Sequence, residues 1–270
     1  MTMTEPVDIL EYYADNGLSA TFYDMMTLVD KTVEGDLQFY HSLAGSSPKK
    51  ILVMGCGTGR VAIALAGSGH QVVGVDNARS MLSRADLKKQ RLAAPVAQRL
   101  EFRQGDMTNL EVGDQFDLVL IPYYGFSHLL ERSQRSQALT VVARHLRPEG
   151  WAAIHVPAAW ALREAGTPAF RPRPGYHARL QSEKVAEVAV SLLSQDFDGE
   201  RQHFTQTIEY IVKDASGQVT RRTAERLTYA AVEDDELREL AAAAGLRLDR
   251  ILSTFQGRGD RHRVYILAHR

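Results

Sequence analysis

The run ILVMGCGTGR sets Gly55, Gly57 and Gly59 between a strand-like apolar stretch and a helical one. A backbone turning from strand to helix beneath a ligand needs positive φ or close approach, and both favour a residue without Cβ. An ordinary tight turn rarely needs three glycines. The next apolar run, VVGVD, ends in Asp76, a carboxylate able to accept hydrogen bonds from both ribose hydroxyls of a nucleoside lying across the strand ends. Asp76 equally suits a helix N-cap before ARSMLSRA. His128, in PYYGFSHLL after a later apolar run, carries the ring best suited to proton transfer near neutral pH. A dinucleotide is one ligand that fits: Gly57-Thr58-Gly59-Arg60-Val61-Ala62 satisfies GxGxx(G/A), with Asp76 standing 19 positions beyond Gly57. Against it, the strand meets glycine first at Gly55, two positions early for that fingerprint.

Such residues need a sheet to position them. From Lys50 onward, short apolar runs alternate with amphipathic segments: ILVMG, VAIALAGSG, VVGVD, SMLSRADLKKQRL, LEFRQGD, FDLVLIPYY, QALTVVARHL and WAAIHVP. That alternation predicts an α/β fold with a parallel sheet whose carboxyl-terminal edge gathers the ligands. Before it, residues 6–43 space Ile9, Tyr12, Tyr13, Phe22, Met25, Met26, Val29 and Phe39 mostly as helices would. After it, Asp198-Gly199 and Ser216-Gly217 separate three runs that predict an antiparallel meander. A helix over 233–244 and a closing hairpin follow. The expected organisation is a helical cap over 1–45, a main domain over 46–158 and 232–270, and an inserted antiparallel sheet over 159–231. The meander is too small to bury its own core. Its alternating Val188, Val190, Leu192, Phe204, Ile208 and Tyr210 should therefore pack on the active-site edge, as a substrate cover, or on a second copy in a homodimer.

Composition narrows the classes. Hydrophobic residues make up 44% and charged residues 24% of 270, ordinary values for a globular chain. Lys+Arg 32 against Asp+Glu 33 gives net charge −1, so no overall field draws the chain to nucleic acid or to an anionic membrane. The lone Cys56 excludes an intramolecular disulfide and multi-cysteine metal sites, and no metal is expected. With no ligating partner suggested nearby, it reads as a small packing residue in a reducing, cytoplasmic setting. Glu5, Asp8 and Glu11 occupy the place of a secretory signal, and no apolar run approaches the ~20 residues of a membrane span.

From about residue 20 to 158, the order of motifs resembles the class I S-adenosylmethionine-dependent methyltransferases, in their small-molecule branch. MGCGTGR is similar to the family's first motif, with Met54 where many members carry an acidic residue. GVDNARSMLSRA resembles the ribose-binding motif, and Gly105-Asp106-Met107 the adenine corner. FDLVLIPYYGFSHLL and ALTVVARHLRPEGWAAIHV resemble the fourth and fifth strands with their intervening helix. The resemblance implies a Rossmann-like fold with a mostly parallel seven-stranded sheet flanked by helices. It implies S-adenosyl-L-methionine held by Tyr23, Gly55, Cys56, Gly57, Gly59, Asp76, Asn77, Met81, Gly105, Asp106, Met107 and Pro122. Asp76 would take the ribose, Asp106 the adenine amino group, Met107 the adenine face, and the glycines the methionine portion. Taken singly, Asp106 also suits a turn cap and Met107 a core position.

The implied chemistry is in-line methyl displacement onto a small-molecule N or O acceptor, where positioning does most of the work and a base removes a proton. His128 is the candidate base. Tyr124, the second catalytic candidate, stands where relatives commonly carry Asn, so the polar contact expected there changes character or disappears. IPYY has Ile121 in place of the first polar residue of the amino-methylating Asn/Asp-Pro-Pro-aromatic motif, so nucleic-acid methylation gains little. Arg171, Arg173 and Arg179 could attract an acidic substrate or remain solvated loop residues. An NAD(P)-binding oxidoreductase and a non-catalytic nucleotide-binding accessory protein are the competing readings.

Overall fold

The computed structural model describes residues 8–167, 180–182, 185–255 and 259–270. Arg171, Arg173 and Arg179 lie outside the described residues. In chain order the elements are β1 (Ile9–Glu11), α1 (Ser19–Val29), α2 (Asp36–Ala44), β2 (Lys50–Met54), α3 (Arg60–Gly67), β3 (Gln71–Asp76), α4 (Arg79–Lys89), α5 (Ala94–Ala97), β4 (Leu100–Gln104), β5 (Phe116–Ile121), α6 (Arg132–His145), β6 (Leu146–Pro157) and α7 (Ala159–Ala165). Then come β7 (Leu180–Ser182), β8 (Val185–Asp198), β9 (His203–Lys213), β10 (Val219–Ala230), α8 (Asp234–Ala243), β11 (Leu246–Leu252) and β12 (His262–His269). Single 3₁₀ turns lie at Lys31–Val33 and Gly125–His128.

Contacts divide the chain into two units, Asp30–Ala161 with Ala230–Arg270, and the chain up to Val29 with Leu162–Tyr229. The larger unit is built on a seven-stranded sheet of order β11-β12-β6-β5-β2-β3-β4. β2 pairs in parallel with β3 and β5, β3 with β4, and β5 with β6, while β12 runs antiparallel to β6 and β11. Alternation along β2 explains why its run is continuously apolar. Leu52 and Met54 enter one core with α6 and α8, while Ile51 and Val53 enter the other with α2 and α3. Helix α6 starts from a capping box between Glu131 and Gln134, and α8 from three carboxylates in its first turn.

The smaller unit is a five-stranded sheet of order β1-β10-β9-β8-β7. Leu18, just before α1, and Phe22 of α1 bury against Val188, Val190 and Tyr210. Glu225, fully buried on β10, accepts from the backbone of Leu18 and of Ser19 (3.1 Å) and from Thr223 Oγ1 (3.0 Å), capping α1 from a distant strand. A Cβ at Gly17 would lie 2.8 Å from that carboxylate. Residues 1–45 therefore do not act as one helical cap. β1 pairs in parallel with β10 and α1 packs on the meander, whereas the chain from Asp30 joins the larger unit. Among the described residues no helix is long and apolar enough to cross a membrane.

Candidate active site

All three glycines of the β2–α3 loop have positive φ: 67° at Gly55, 56° at Gly57 and 83° at Gly59. L-residues avoid that region, so the turn selects glycine three times. Cys56 between them is buried. Its N–H donates to Val75 O (2.9 Å), and burial pushes its thiol pKa well up, which suits packing and disfavours a nucleophile. The ring of Phe102, on β4, lies against Gly59 of the loop and Gly74 of β3. A Cβ at Gly59 would stand 2.6 Å from Phe102 Cζ, and one at Gly74 2.8 Å from Phe102 Cδ1 and 3.1 Å from Cys56 Sγ. The ring cannot retreat from one without meeting the other. Gly59→Ala should accordingly cost ~2–4 kcal/mol, from the left-handed backbone and the overpacking together. Urea unfolding checks this, and a loss under ~0.5 kcal/mol would refute the clamp.

Asp76 ends β3 and faces the loop. Its Oδ2 accepts from Gly57 N (2.7 Å) and its Oδ1 from Ala78 N (2.9 Å), so one carboxylate ties the glycine loop to the start of α4. Burial raises its pKa, opposed by the backbone bonds from Ala78, Gly57 and Asn77. Each oxygen keeps lone-pair capacity for a further donor. Gly105 N donates to Asp76 O (3.0 Å), which brings the corner after β4 to the same edge. Met107 reaches over the loop, its Cε 3.3 Å from where a Gly55 Cβ would be. Asp106 is exposed, and its Oδ1 accepts from Thr108 N and Oγ1 (both 2.8 Å), the turn-capping pattern. Asn77 is exposed and its carbonyl accepts from Gln104 (3.2 Å), whereas Met81 is 2% exposed inside α4. Tyr23 belongs to the smaller unit, its ring edge-on to Tyr13 at 6.2 Å.

After β5 the chain makes a second unusual turn. Pro122 is buried, and Tyr123 and Tyr124 follow with φ of 44° and 69°, a conformation costly for aromatic residues and concentrated at functional sites. The turn is pinned. Tyr123 Oη donates to Asp30, Tyr124 N to His155 O (3.0 Å), and Gly125 N to Pro122 O (3.2 Å). Gly125 Cα lies 3.7 Å from where a Gly55 Cβ would project, so the two loops touch where both lack side chains. His128 ends the 3₁₀ turn, half-buried, and burial lowers its pKa to about 4. Burial also raises that of Tyr124, so both are neutral at pH 7. Gly125 and Phe102 were not among the sequence candidates. A glycine after two tyrosines carries a faint signal of a tight approach, and Phe102 carries none.

Residues 51–150 match the family model described as "Methyltransferase domain", a span holding the glycine loop, Asp76, the 105–107 corner and the turn to His128. The match over residues 51–150 supports an S-adenosylmethionine-dependent methyltransferase of class I. The fold is that of this family, and S-adenosylmethionine is the cofactor. Among curated relatives, this methyltransferase is similar to the cypemycin N-terminal methyltransferase of Streptomyces sp, 28% identical over 87% of each chain. It is also similar to the putative methyltransferase GWCH70_2453 of Geobacillus sp. (strain WCH70), 37% identical over 38% of this chain and 40% of that one, so the match spans under half of that relative. Among solved structures, the S-adenosylmethionine-dependent methyltransferase from Clostridium acetobutylicum ATCC 824 aligns with TM-score 0.72 and 15% identity over 93% and 97% of the two chains. The sugar N-methyltransferase KedS8 from Streptoalloteichus sp ATCC 53650 aligns with TM-score 0.70 and 19% identity over 100% and 98%. These are likenesses of fold. The dinucleotide reading gains no support from them.

The residues fit the cofactor. The space above Gly55 lacks a Cβ and is roofed by Met107, and Asp76 presents its carboxylate at the strand ends. Among the described residues no group of three or more His, Cys, Asp or Glu is placed to hold a metal ion.

Proposed function

We propose that this methyltransferase places the methyl group of S-adenosylmethionine on an amine of a small molecule, with Gly55, Gly57, Gly59, Asp76, Asp106 and Met107 holding the cofactor and His128 receiving the proton. The supporting observation is the 123–125 turn packed on Gly55, which sets the groups following β5 beside the loop assigned to the methionine portion. When bound, the cofactor supplies a methyl group on a sulfonium that departs as a neutral thioether. The acceptor nitrogen would take that methyl group, and His128 would receive the proton the nitrogen then sheds. An amine suits this base better than a hydroxyl. An imidazole with a pKa of about 4 lies ~12 pK units below a water-like hydroxyl but only ~4–6 below an aliphatic ammonium. The printed names of two similar proteins, an N-terminal methyltransferase and a sugar N-methyltransferase, point the same way.

Acceptor selection is assigned to residues 159–231, as expected of a segment that interrupts the α/β alternation between β6 and α8. A panel of small amines and alcohols, scored by mass spectrometry of products and by S-adenosylhomocysteine release, tests both statements. N-methylated products from wild type are expected, together with loss of turnover but retention of cofactor binding when residues 1–29 and 162–229 are replaced by short linkers. The first segment must go with the second because α1 buries against the meander. Exclusive O-methylation would overturn the amine, and normal turnover of the linker variant would overturn the cover.

A further inference from the structure

The carboxyl end of β6 carries a group that none of these steps uses. His155 is fully buried, and among the described residues neither ring nitrogen has a hydrogen-bond partner. Its ring meets Tyr124 at 4.7 Å, Phe255 at 4.8 Å and His262, the first residue of β12, at 4.8 Å. Among the described residues His262 Nε2 is also unpartnered, as is the fully buried Tyr40 Oη of α2, whose ring lies 5.9 Å from Phe255. Unmade hydrogen bonds on buried atoms are costly and uncommon, and several in one cluster call for a reason.

A neutral imidazole can occupy this place. A protonated one cannot, because a buried charge without a partner is far more costly than an unmade hydrogen bond. Burial first, then His262 and Arg60 of α3, hold the His155 pKa well below the usual range. Arg60 is itself paired with Asp36 of α2. Burial and Arg263 lower His262, with Asp30 opposing, and the Tyr40 and Tyr124 phenols stay protonated because burial raises both. His155 also supports Tyr124 mechanically, with its ring behind the tyrosine and its carbonyl accepting from Tyr124 N (3.0 Å). The next residue, Gly125, is the one that packs on Gly55.

We infer that His155 is a positioning residue for the cofactor loop: its neutral ring backs Tyr124 and holds the 123–125 turn against Gly55, and proton uptake by His155 and His262 releases the turn and loosens cofactor binding. The inference rests on the cofactor assignment. Calorimetry with S-adenosylhomocysteine at about pH 7.5 and about pH 5.5 tests it in wild type and in His155→Phe, which keeps a flat ring and removes the titration. One imidazole that titrates near ~6.5 once released weakens binding about tenfold between those pH values. Wild type should show that ratio. His155→Phe should flatten it to the part owed to Asp76, His128 and His262, which both proteins retain.

An equal ratio in the two proteins overturns the inference while leaving the cofactor assignment intact. Absence of binding by wild type at pH 7.5 overturns both. If His155→Phe does not fold, the wild-type chain carries the test through its histidine ring ¹⁵N resonances. His155 should remain neutral at pH 5.5 with S-adenosylhomocysteine bound and take up a proton without it. The same titration in both states would refute the coupling.

Discussion

With His128 replaced by alanine, methyl turnover at neutral pH falls by ~10²-fold or more while S-adenosylhomocysteine affinity stays near that of wild type. The loss follows from removing the group assigned to take the acceptor's proton, in a turn whose Gly125 abuts the glycine loop. The sign of the pH dependence is fixed by burial. A base with a pKa of about 4 is unprotonated throughout the neutral range and is lost only as pH falls through 4. The acidic limb of kcat against pH should therefore be centred near 4 in wild type, not near the ordinary imidazole value, and be missing from His128→Ala. Undiminished turnover by the variant across the whole profile would return His128 to a packing role.

Asp76→Ala weakens cofactor binding by roughly ten- to a hundredfold, the effect of losing ~1.5–3 kcal/mol of charge-assisted hydrogen bonds. The carboxylate has two tasks, since it also holds Gly57 N and Ala78 N. Alanine removes both, whereas Asp76→Asn keeps one acceptor oxygen and should fall between alanine and wild type. Calorimetry with S-adenosylhomocysteine decides, paired with a melting curve that separates a loosened loop from a missing ribose contact. Unchanged affinity in a folded Asp76→Ala would falsify the ribose assignment.

The glycine loop was legible because its requirement is local. Positive φ at three positions six residues into an α/β alternation writes itself as glycine. Asp76 was legible as an edge carboxylate; the N-cap of α4 is Ala78, and Asp76 instead ties Gly57 N to Ala78 N. What escaped the sequence depends on distant pairing. His155 sits in WAAIHVP as one polar residue in a core strand, and only the register of β6 with β12 brings His262 beside it. β1 spans three residues, too few for periodicity, and its partner β10 lies more than 200 positions away. The boundary at Val29 followed from that pairing, so residues 1–45 looked like one element. Met81, placed at the ligand from its motif, has its side chain buried in α4.

The Phe102 ring wedged over Gly59 and Gly74 bears on how the cofactor is discriminated. With Asp76 fastened to Gly57, Cys56 to Val75 and Gly105 to Asp76, three segments far apart in sequence form one mould before any ligand arrives. The ordering that binding would otherwise require, about 0.5–1.5 kcal/mol for each immobilised side chain, is completed during folding. A mould of this kind fits one shape well and adapts poorly to others. Analogues altered at the ribose edge should lose affinity steeply, because the Asp76 carboxylate is already fastened to Gly57 N and Ala78 N and cannot swing to follow them. Evolution of a new specificity in this chain is then easiest away from the β2–β4 edge, where the backbone is not locked between glycines.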